Sequence, residues 1–329
     1  MNNQTLEHEP YIQRIIALNE QLDERYAFHK AVEPILLEIG SDNAFLRRVI
    51  RRNFDDPGYL SQTWSLYNIP YFHVYENDDF ILKIHIFPAG KDWEPGIAAH
   101  AIHHHNNYIL TTNAFFGSGY ESLLFDPQVQ TDPKTLRTRM KITRQFHQKD
   151  WNPSRVDSWV PHIVFLPEQL SATLLIWTPE KKRATDKLRS NPLLKAVKGP
   201  LRKIIQLLGM ESVFGIAKAH TYQYYAAADG KGFMAIEEEK YFAPTKAANG
   251  EDVQEISRQL LFSFIQKANL ADPDYFRELA ARADFPEGYR KWVNVINSGE
   301  TIEEIYHTRE INIPQGSYTL ADIQNAAKY

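Results

Sequence analysis

The sequence contains no cysteine among its 329 residues. This absence excludes disulfide bonds, thiolate metal ligands, iron–sulfur clusters and a cysteine nucleophile. No run of 18 apolar residues is present either, so we predict no transmembrane helix and no membrane partner. The N-terminus also lacks the charged and then apolar pattern of a signal peptide. We therefore expect a soluble, cytoplasmic protein.

A surplus of positive charge is missing as well. The chain has 37 lysines and arginines and 41 aspartates and glutamates, which gives a formal net charge of −4. Without a surplus of basic side chains to neutralise phosphates, we expect no nucleic-acid partner. The glycine motifs that bind phosphates and dinucleotides are absent, and Gly117-Ser118-Gly119 lacks the spacing of a hydrolase nucleophile elbow. A small-molecule substrate is the remaining expectation.

The patterns that are present predict helices at both ends of the chain and strands in its centre. Helical periodicity covers residues 12–22 and 31–52, with a break at Gly40-Ser41-Asp42. A hairpin is predicted from runs 71–75 and 80–87. Further strands are predicted at 108–115, 120–125, 137–144, 162–166 and 172–177, and later helices at 193–208, 253–268, 274–282, 286–296 and 320–327.

This order divides the chain into three predicted regions. Residues 1–62 form an N-terminal helical extension, residues 63–182 a β domain, and residues 183–329 a mostly helical C-terminal region. Many short strands at close spacing are typical of a barrel or sandwich. Gly230-Lys231-Gly232 lies between two aromatic stretches and predicts either a hairpin or a loop.

Four of the twelve histidines lie between His100 and His105. On a β-strand, His103 and His105 would point to one face and His104 to the other. Two imidazoles at this spacing can bind one metal ion, and His162 at the start of a later strand is a candidate third ligand. An exposed histidine-rich loop without metal is the alternative interpretation.

A site of three imidazoles has defined chemical preferences. Neutral imidazole suits iron, zinc, nickel and copper. Three protein ligands leave coordination positions open for water, O2 or a substrate. Because the three ligands are neutral, the charge of a divalent metal stays uncompensated, which favours an anionic substrate or a bound hydroxide.

Two stretches of the sequence resemble the motifs of the cupin superfamily. The first comprises Phe87-Pro88-Ala89-Gly90, Ile102-His103-His104-His105 and Gly117-Ser118-Gly119-Tyr120-Glu121, because cupins have a Pro-Gly turn, a His-x-His strand and a hairpin with glycine. The second comprises Pro161-His162-Ile163-Val164-Phe165 and the hydrophobic run that follows it. Together they cover about a third of the chain.

The resemblance implies a mainly β core built as a cupin-type double-stranded β-helix, a jelly-roll barrel, with α-helical extensions at both ends. It implies a divalent metal on His103, His105 and His162. Many cupins carry a glutamate ligand four or five residues after His-x-His, but Ile109 and Leu110 occupy those positions here. The pattern is therefore closer to three-histidine cupins such as the thiol dioxygenases. Pairing of cupin subunits makes a homodimer an expectation.

Five further residues are candidates for contacts with the metal ligands or the substrate. Glu121 follows the hairpin and could accept a hydrogen bond near the metal. His100 adjoins the histidine cluster, and Asn107 shares the predicted strand face of His105. Arg137 and Arg139 share a strand face and could bind a substrate carboxylate as a planar fork, or simply form a solvated face.

Three functions remain open from the sequence. The first is a non-haem Fe(II) oxygenase or dioxygenase that acts with O2 on a small polar metabolite. The second is a redox-neutral isomerase, lyase or hydrolase that uses Zn, Mn or Ni as a Lewis acid. The third is a binding or regulatory protein without catalysis. Metal identity separates the first two, whereas the third predicts ligand binding without product.

Overall fold

The computed structural model describes residues 6–64, 69–90, 98, 100–105, 107–179, 222–241, 253–307 and 318–329. The predicted helix over residues 193–208 lies outside these ranges. In the described part of the chain, no helix combines the length and apolar content needed to cross a membrane.

Helices occupy both ends of the described chain. They are α1 (Pro10–Gln21), α2 (Arg25–Ser41), α3 (Asn43–Asp55), α4 (Pro57–Leu60), α5 (Glu238–Tyr241), α6 (Val253–Lys267), α7 (Pro273–Ala281), α8 (Glu287–Ser298) and α9 (Leu320–Ala326). The predicted break after Gly40 is confirmed, because the Asp42 carboxylate accepts a 3.0 Å hydrogen bond from the Phe45 backbone N–H and caps α3. Thr319 caps α9 in the same way, through a capping box with Asp322.

Strands fill the centre of the chain. They are β1 (Tyr71–Glu76), β2 (Ile81–Phe87), β3 (Ala89–Gly90), β4 (Ile109–Phe116), β5 (Glu121–Phe125), β6 (Gln130–Thr131), β7 (Arg137–Arg139), β8 (Ile142–His147), β9 (Ser154–Val156), β10 (His162–Val164), β11 (Ser171–Thr178), β12 (Tyr222–Ala226), β13 (Phe233–Glu237) and β14 (Tyr306–His307). The predicted β1–β2 hairpin is confirmed. The single strand predicted over residues 137–144 is two strands, because β7 and β8 pair in different sheets.

The strands form several sheets, and the order of the strands in each sheet determines which residues face the site. One sheet has the order β1-β2-β11-β4-β9, a second β10-β5-β8, a third β12-β13-β7-β6, and β14 pairs with β3. The β12–β13 hairpin turns at Gly230 and Gly232, which have φ of 69° and 72°, values that favour glycine. The hairpin alternative for this segment is therefore confirmed.

The five-stranded sheet separates a helix-covered core from a cavity. In β2, Leu82, Ile84 and Ile86 are fully buried in the core that also contains residues of the N-terminal and C-terminal helices. Lys83 and His85 alternate with them and line a cavity. Strand alternation thus gives this sheet one apolar face under the helices and one mixed face toward the cavity.

The sheet β10-β5-β8 supplies the opposite wall of the cavity. Its cavity side carries Ser122, Phe146 and Val164, whereas Ile163 and Leu123 on the other side are fully buried against β12 and β13. The expected mainly β core with helices at both ends is confirmed. In the described residues the strand pairings do not close into a barrel, and the double-stranded β-helix is not established.

Phe54 joins the two groups of helices. Its ring stacks on Phe262 of α6 at a centroid distance of 5.2 Å and meets Phe72 of β1 edge-on at 6.0 Å. Tyr289 of α8 lies 6.0 Å away on another side. Residues from all three predicted regions of the chain therefore share one hydrophobic core.

His29 on α2 links the helices to the outer face of the five-stranded sheet. Its Nδ1 lies 2.8 Å from the Thr111 hydroxyl and its Nε2 lies 2.7 Å from the Thr178 hydroxyl. Burial lowers the pKa of His29 to about 3, and the positive charges of Arg155 and Arg25 lower it further in the same direction. His29 is therefore a neutral part of the folded structure at pH 7.

We predict that Phe54→Ala lowers the free energy of unfolding by about 3–5 kcal/mol, because it leaves a cavity where three elements meet. The measurement is urea denaturation followed by circular dichroism. The matched control is Leu37→Ala, since the Leu37 side chain is 42% exposed on α2 and its truncation should cost less than about 0.5 kcal/mol. Equal losses in the two variants would contradict the shared core.

We also predict that His29→Gln makes the free energy of unfolding depend less steeply on pH under acidic conditions. Above about pH 6.5 neither folded nor unfolded His29 is protonated; below it the unfolded state takes up a proton that the folded state refuses until about pH 3. The free energy of unfolding of the wild type therefore decreases as the pH is lowered through this window. Removing His29 should reduce the slope of this free energy against pH by up to about 1.4 kcal/mol per pH unit. Urea titrations at several pH values measure the slope, with the exposed His8→Gln as control.

Candidate metal centre

Backbone pairing brings the two histidine motifs together. His103 and His162 lie opposite each other as an antiparallel bridge, with hydrogen bonds of 3.0 Å from the His103 N–H and 2.7 Å from the His162 N–H. The predicted strand across the histidine run is reduced to this bridge and its neighbour at Ile102. The chain turns immediately afterwards, because the Tyr108 N–H donates to the His105 carbonyl.

The C-terminal part of the chain holds the ligand-bearing segment in place. Ile102 and Tyr224 of β12 exchange two backbone hydrogen bonds of 2.8 Å. The Ala101 N–H donates to the Tyr241 hydroxyl at 3.0 Å, and the Tyr318 hydroxyl donates to the His100 carbonyl at 3.0 Å. The segment around His103 therefore depends on residues more than a hundred positions away.

Three imidazoles converge at the end of the bridge. One ligand nitrogen from each of His103, His105 and His162 lies within 4.8 Å of the other two. The Nε2 atoms of His105 and His162 are 2.9 Å apart. The ring centroids of His103 and His105 each lie 4.4 Å from that of His162. The structure thus brings together the three residues that were predicted as metal ligands.

Backbone carbonyls fix the orientation of two of these rings. His103 Nδ1 lies 3.1 Å from the Ala101 carbonyl oxygen, and His162 Nδ1 lies 3.0 Å from the Val160 carbonyl oxygen. A carbonyl only accepts, so both Nδ1 atoms carry the hydrogen and both Nε2 atoms present a lone pair. In each case the acceptor lies two residues before the histidine. Metal-binding histidines commonly donate their second ring N–H to such a backbone carbonyl, which orients the ring.

Burial keeps the three imidazoles neutral. It lowers the pKa of His103 to about 4, although the bond to the Ala101 carbonyl acts in the opposite direction. Burial also lowers the pKa values of His105 and His162 well below the ordinary value, and neighbouring histidines add to both shifts. Neutral imidazole is the form that binds a metal, so these side chains are ready ligands at pH 7.

The short contact between His105 and His162 fits a shared cation. The two Nε2 atoms, 2.9 Å apart, lie close enough for metal–nitrogen bonds of about 2.0–2.1 Å to reach both from one ion. Without a cation, the His105 Nε2 must donate a hydrogen to the His162 lone pair, since the hydrogen of His162 is on Nδ1. Among the described residues the cluster contains no carboxylate or further imidazole, so three neutral nitrogens form the donor set.

The cluster opens into a cavity of about 420 Å³ between the two sheets. This volume is in the range of small-molecule sites, which is about 300–1,000 Å³. The five-stranded sheet contributes Lys83, His85, Leu110, Thr112, Thr173, Leu175 and Trp177, and the opposite sheet contributes Ser122, Phe146, His162 and Val164. His103 and His105 retain part of their surface toward this space while lying deep in the protein.

His100 and His104 also line the cavity but are not in the three-histidine group. The His100 ring lies 4.9 Å from that of His103, and the His104 ring lies 5.3 Å from that of the half-exposed Trp159. Burial lowers the pKa of His85 to about 3, with Lys83 adding to the shift. The His85 ring lies 6.3 Å from Trp177, whose ring is in turn 5.3 Å from His105.

Glu121 does not reach the histidine cluster. It alternates with Ser122 along β5, so Ser122 lines the cavity while the Glu121 carboxylate lies on the other face and accepts a hydrogen bond from the Gln145 side chain. Successive side chains of a strand point to opposite faces, which is why Ser122 and Glu121 are separated in this way. Glu121 is therefore not placed to contact a metal at the cluster.

Asn107, Arg137 and Arg139 do not line the cavity either. The turn after His105 ends the strand alternation that would have aligned Asn107 with it, and the Asn107 carbonyl accepts a 2.6 Å hydrogen bond from Arg25. Arg137 is exposed in β7, where its guanidinium lies 2.9 Å from the Asp229 carboxylate. Arg139 is exposed on the same short strand. Strand β7 pairs with β13 and β6, outside the two walls of the cavity.

Sequence reasoning missed Lys83, Tyr120 and Trp177 as cavity residues. The alternation in β2 could have indicated Lys83, because it shares a face with His85. Tyr120 lies against Phe87 at a ring distance of 5.0 Å, and burial raises the pKa of its hydroxyl to about 12. No local pattern indicates Tyr120 or Trp177, since their position depends on which sheets face each other.

No protein-family model matches the sequence, and no curated protein matches it. Among solved structures, the chain is similar to the DMSP lyase DddQ from Ruegeria pomeroyi, with 15% identity, coverage of 33% of this chain and 42% of the lyase, and a TM-score of 0.20. It is also similar to oxalate decarboxylase from Bacillus subtilis, with 13% identity, coverage of 40% and 31%, and a TM-score of 0.20.

A third similar structure is the cupin domain of Cnp3 from Schizosaccharomyces pombe, with 11% identity, coverage of 39% of this chain and 79% of the domain, and a TM-score of 0.21. The three-histidine group that the sequence resemblance implies is present in the structure. The chain spans less than half of the lyase and of the decarboxylase.

We predict that metal-free protein holds His103 and His162 as the Nδ1–H tautomers, because backbone carbonyls accept from both Nδ1 atoms. The measurement is a long-range proton–nitrogen correlation spectrum of protein labelled with ¹⁵N-histidine, taken at pH 8. His147 is the internal control: its Nδ1 accepts a 3.1 Å hydrogen bond from the Lys149 N–H and must therefore show the Nε2–H form. Nε2–H signals from His103 and His162 would refute the assigned orientation.

Proposed function

We propose that the chain is a metal-dependent enzyme that binds one divalent ion through His103, His105 and His162 and acts on a small molecule in the adjoining cavity. The observation that carries the proposal is the convergence of three neutral imidazoles, two of them oriented by backbone carbonyls. Orienting contacts of this kind are found around metal ligands. A buried cluster of neutral histidines at the end of a cavity has no comparable value for stability, because burying polar rings without full hydrogen bonding is costly.

The preferred metal in this proposal is Fe(II), and the preferred reaction is an oxygenation or dioxygenation. Bound Fe(II) would supply a redox-active centre for O2, with positions left free because the described residues provide three protein ligands. The protein contributes by orienting the substrate beside the three histidines in the cavity. Trp177, Leu175 and Phe146 give the cavity apolar and aromatic walls beside the cluster.

A redox-neutral lyase, isomerase or hydrolase with Zn, Mn or Ni is the second candidate. The observation that favours it is a set of protic side chains on the cavity wall. The Tyr120 phenol, which burial keeps protonated, and the Lys83 ammonium both line the cavity. Each can donate a proton, which is the requirement of general acid catalysis.

The test begins with elemental analysis of protein purified without a histidine tag, before and after anaerobic loading with Fe(II). We predict about one metal ion per chain in the wild type, and less than about a tenth of that in His103→Ala and in His162→Ala, since a site that loses one of three ligands loses most of its affinity. His104→Ala is the matched control, because His104 lies in the same run but outside the ligand group. Circular dichroism checks that all three variants fold.

Oxygen uptake with small polar metabolites then separates the two reaction classes. Substrate-dependent uptake by the iron-loaded protein supports an oxygenase. Turnover without uptake by zinc, manganese or nickel protein supports the redox-neutral enzyme instead. If no metal binds under any loading condition, or if His104→Ala loses metal as completely as His162→Ala, the three-histidine centre is wrong.

A further inference from the structure

Lys83 is a cationic side chain on the same cavity wall as the histidine cluster. It lies on β2, where its neighbours Leu82 and Ile84 are buried in the core beneath the helices. Its own side chain alternates to the cavity face together with His85. The strand therefore directs this charge into the space where a substrate would lie, and not outward to bulk water.

Lys83 has no anionic partner in the described part of the chain. Its Nζ lies 4.1 Å from the centre of the Tyr71 ring, and no carboxylate is found within ion-pair distance of it there. Glu76 is the acid whose charge acts on Lys83, but its carboxylate is 3.4 Å from His73 Nε2. Buried charges in proteins are usually paired, so the face of an aromatic ring leaves this ammonium with unused capacity for an anion.

The charge balance of the cavity also favours an anionic ligand. Among the described residues, Lys83 and Glu238 are the charged side chains that line it. They come from β2 and α5, and cancel each other formally. Imidazole binds a metal in its neutral form, so a divalent ion on the three histidines would leave a net charge of two positive units. A substrate carboxylate would reduce this excess.

The wall between Lys83 and the cluster defines the rest of the ligand. His85 is the next cavity residue after Lys83 on β2, Trp177 contacts both His85 and His105, and Leu175 lies opposite Lys83 on β11. This surface is mainly aromatic and aliphatic. It suits a molecule with an apolar or aromatic middle, with one end at Lys83 and the other at the histidines.

We propose that the substrate is a small carboxylic acid with an apolar body, whose carboxylate pairs with Lys83 while its reacting end lies at His103, His105 and His162. This inference rests on the proposed function, because it takes the three-histidine cluster as the reacting centre. Lys83 then acts as the residue that selects and orients an acid over its neutral analogues.

The test compares binding of acids and their amides by isothermal titration calorimetry. The probes are benzoate and butyrate, each matched with benzamide and butyramide, titrated into Co(II)-loaded protein. We expect the wild type to bind the acids more tightly than the amides. Lys83→Met should weaken acid binding at least about tenfold, which corresponds to about 1.4 kcal/mol, with no change for the amides. Lys83→Arg should retain the preference because it keeps the charge.

Controls separate this inference from the metal site. The exposed Lys141→Met removes a lysine away from the cavity and should bind all probes as the wild type does. Lys83→Gln provides a second neutral variant if Lys83→Met does not fold. Cobalt content measured in each variant shows whether the metal site is intact.

The outcomes are distinct. An acid preference that disappears in the neutral Lys83 variants at full cobalt content supports the proposal. A wild type without acid preference, or a preference unchanged in the neutral variants, overturns it. If cobalt does not bind at all, the proposed function fails, and the same titrations on metal-free protein still show whether Lys83 selects the carboxylate.

Discussion

The two backbone hydrogen bonds between His103 and His162 are the contact on which the candidate site depends. They set two imidazoles from sequence positions 59 residues apart directly opposite each other, so that both rings project to the same side. The carbonyls of Ala101 and Val160 then fix each ring through Nδ1. His105 follows two residues later, and its Nε2 lies 2.9 Å from the Nε2 of His162.

The surrounding layers keep this pairing in place. Helices cover one face of the five-stranded sheet, and the aromatic cluster around Phe54 joins α3 to α6 and α8 in the same core. On the far side, Tyr224, Tyr241 and Tyr318 hold the segment that carries His103. The C-terminal region therefore contributes directly to the geometry of the histidines, although it provides none of the three ligands.

The cavity combines features that rarely occur together without a ligand. Its walls are largely apolar, yet they carry a lysine that has no anionic partner among the described residues, together with a cluster of neutral imidazoles. An apolar core would be more stable with hydrophobic residues at these positions, since polar groups lose hydration when they are buried. Such groups are typical of sites where binding or chemistry takes precedence over stability.

The sequence by itself determined the local features: the break after Gly40 with Asp42 as a cap, the hairpin of β1 and β2, and the helices after residue 253. It also indicated, from side-chain chemistry, the three histidines that the structure brings together. Each depends on neighbouring residues, through capping, alternation or side-chain chemistry. Only the tertiary structure decided that Glu121, Asn107, Arg137 and Arg139 lie outside the cavity and that Lys83, Tyr120 and Trp177 line it. The reason is that the faces of two sheets become walls of one cavity only through long-range strand pairing, which periodicity along the chain does not encode.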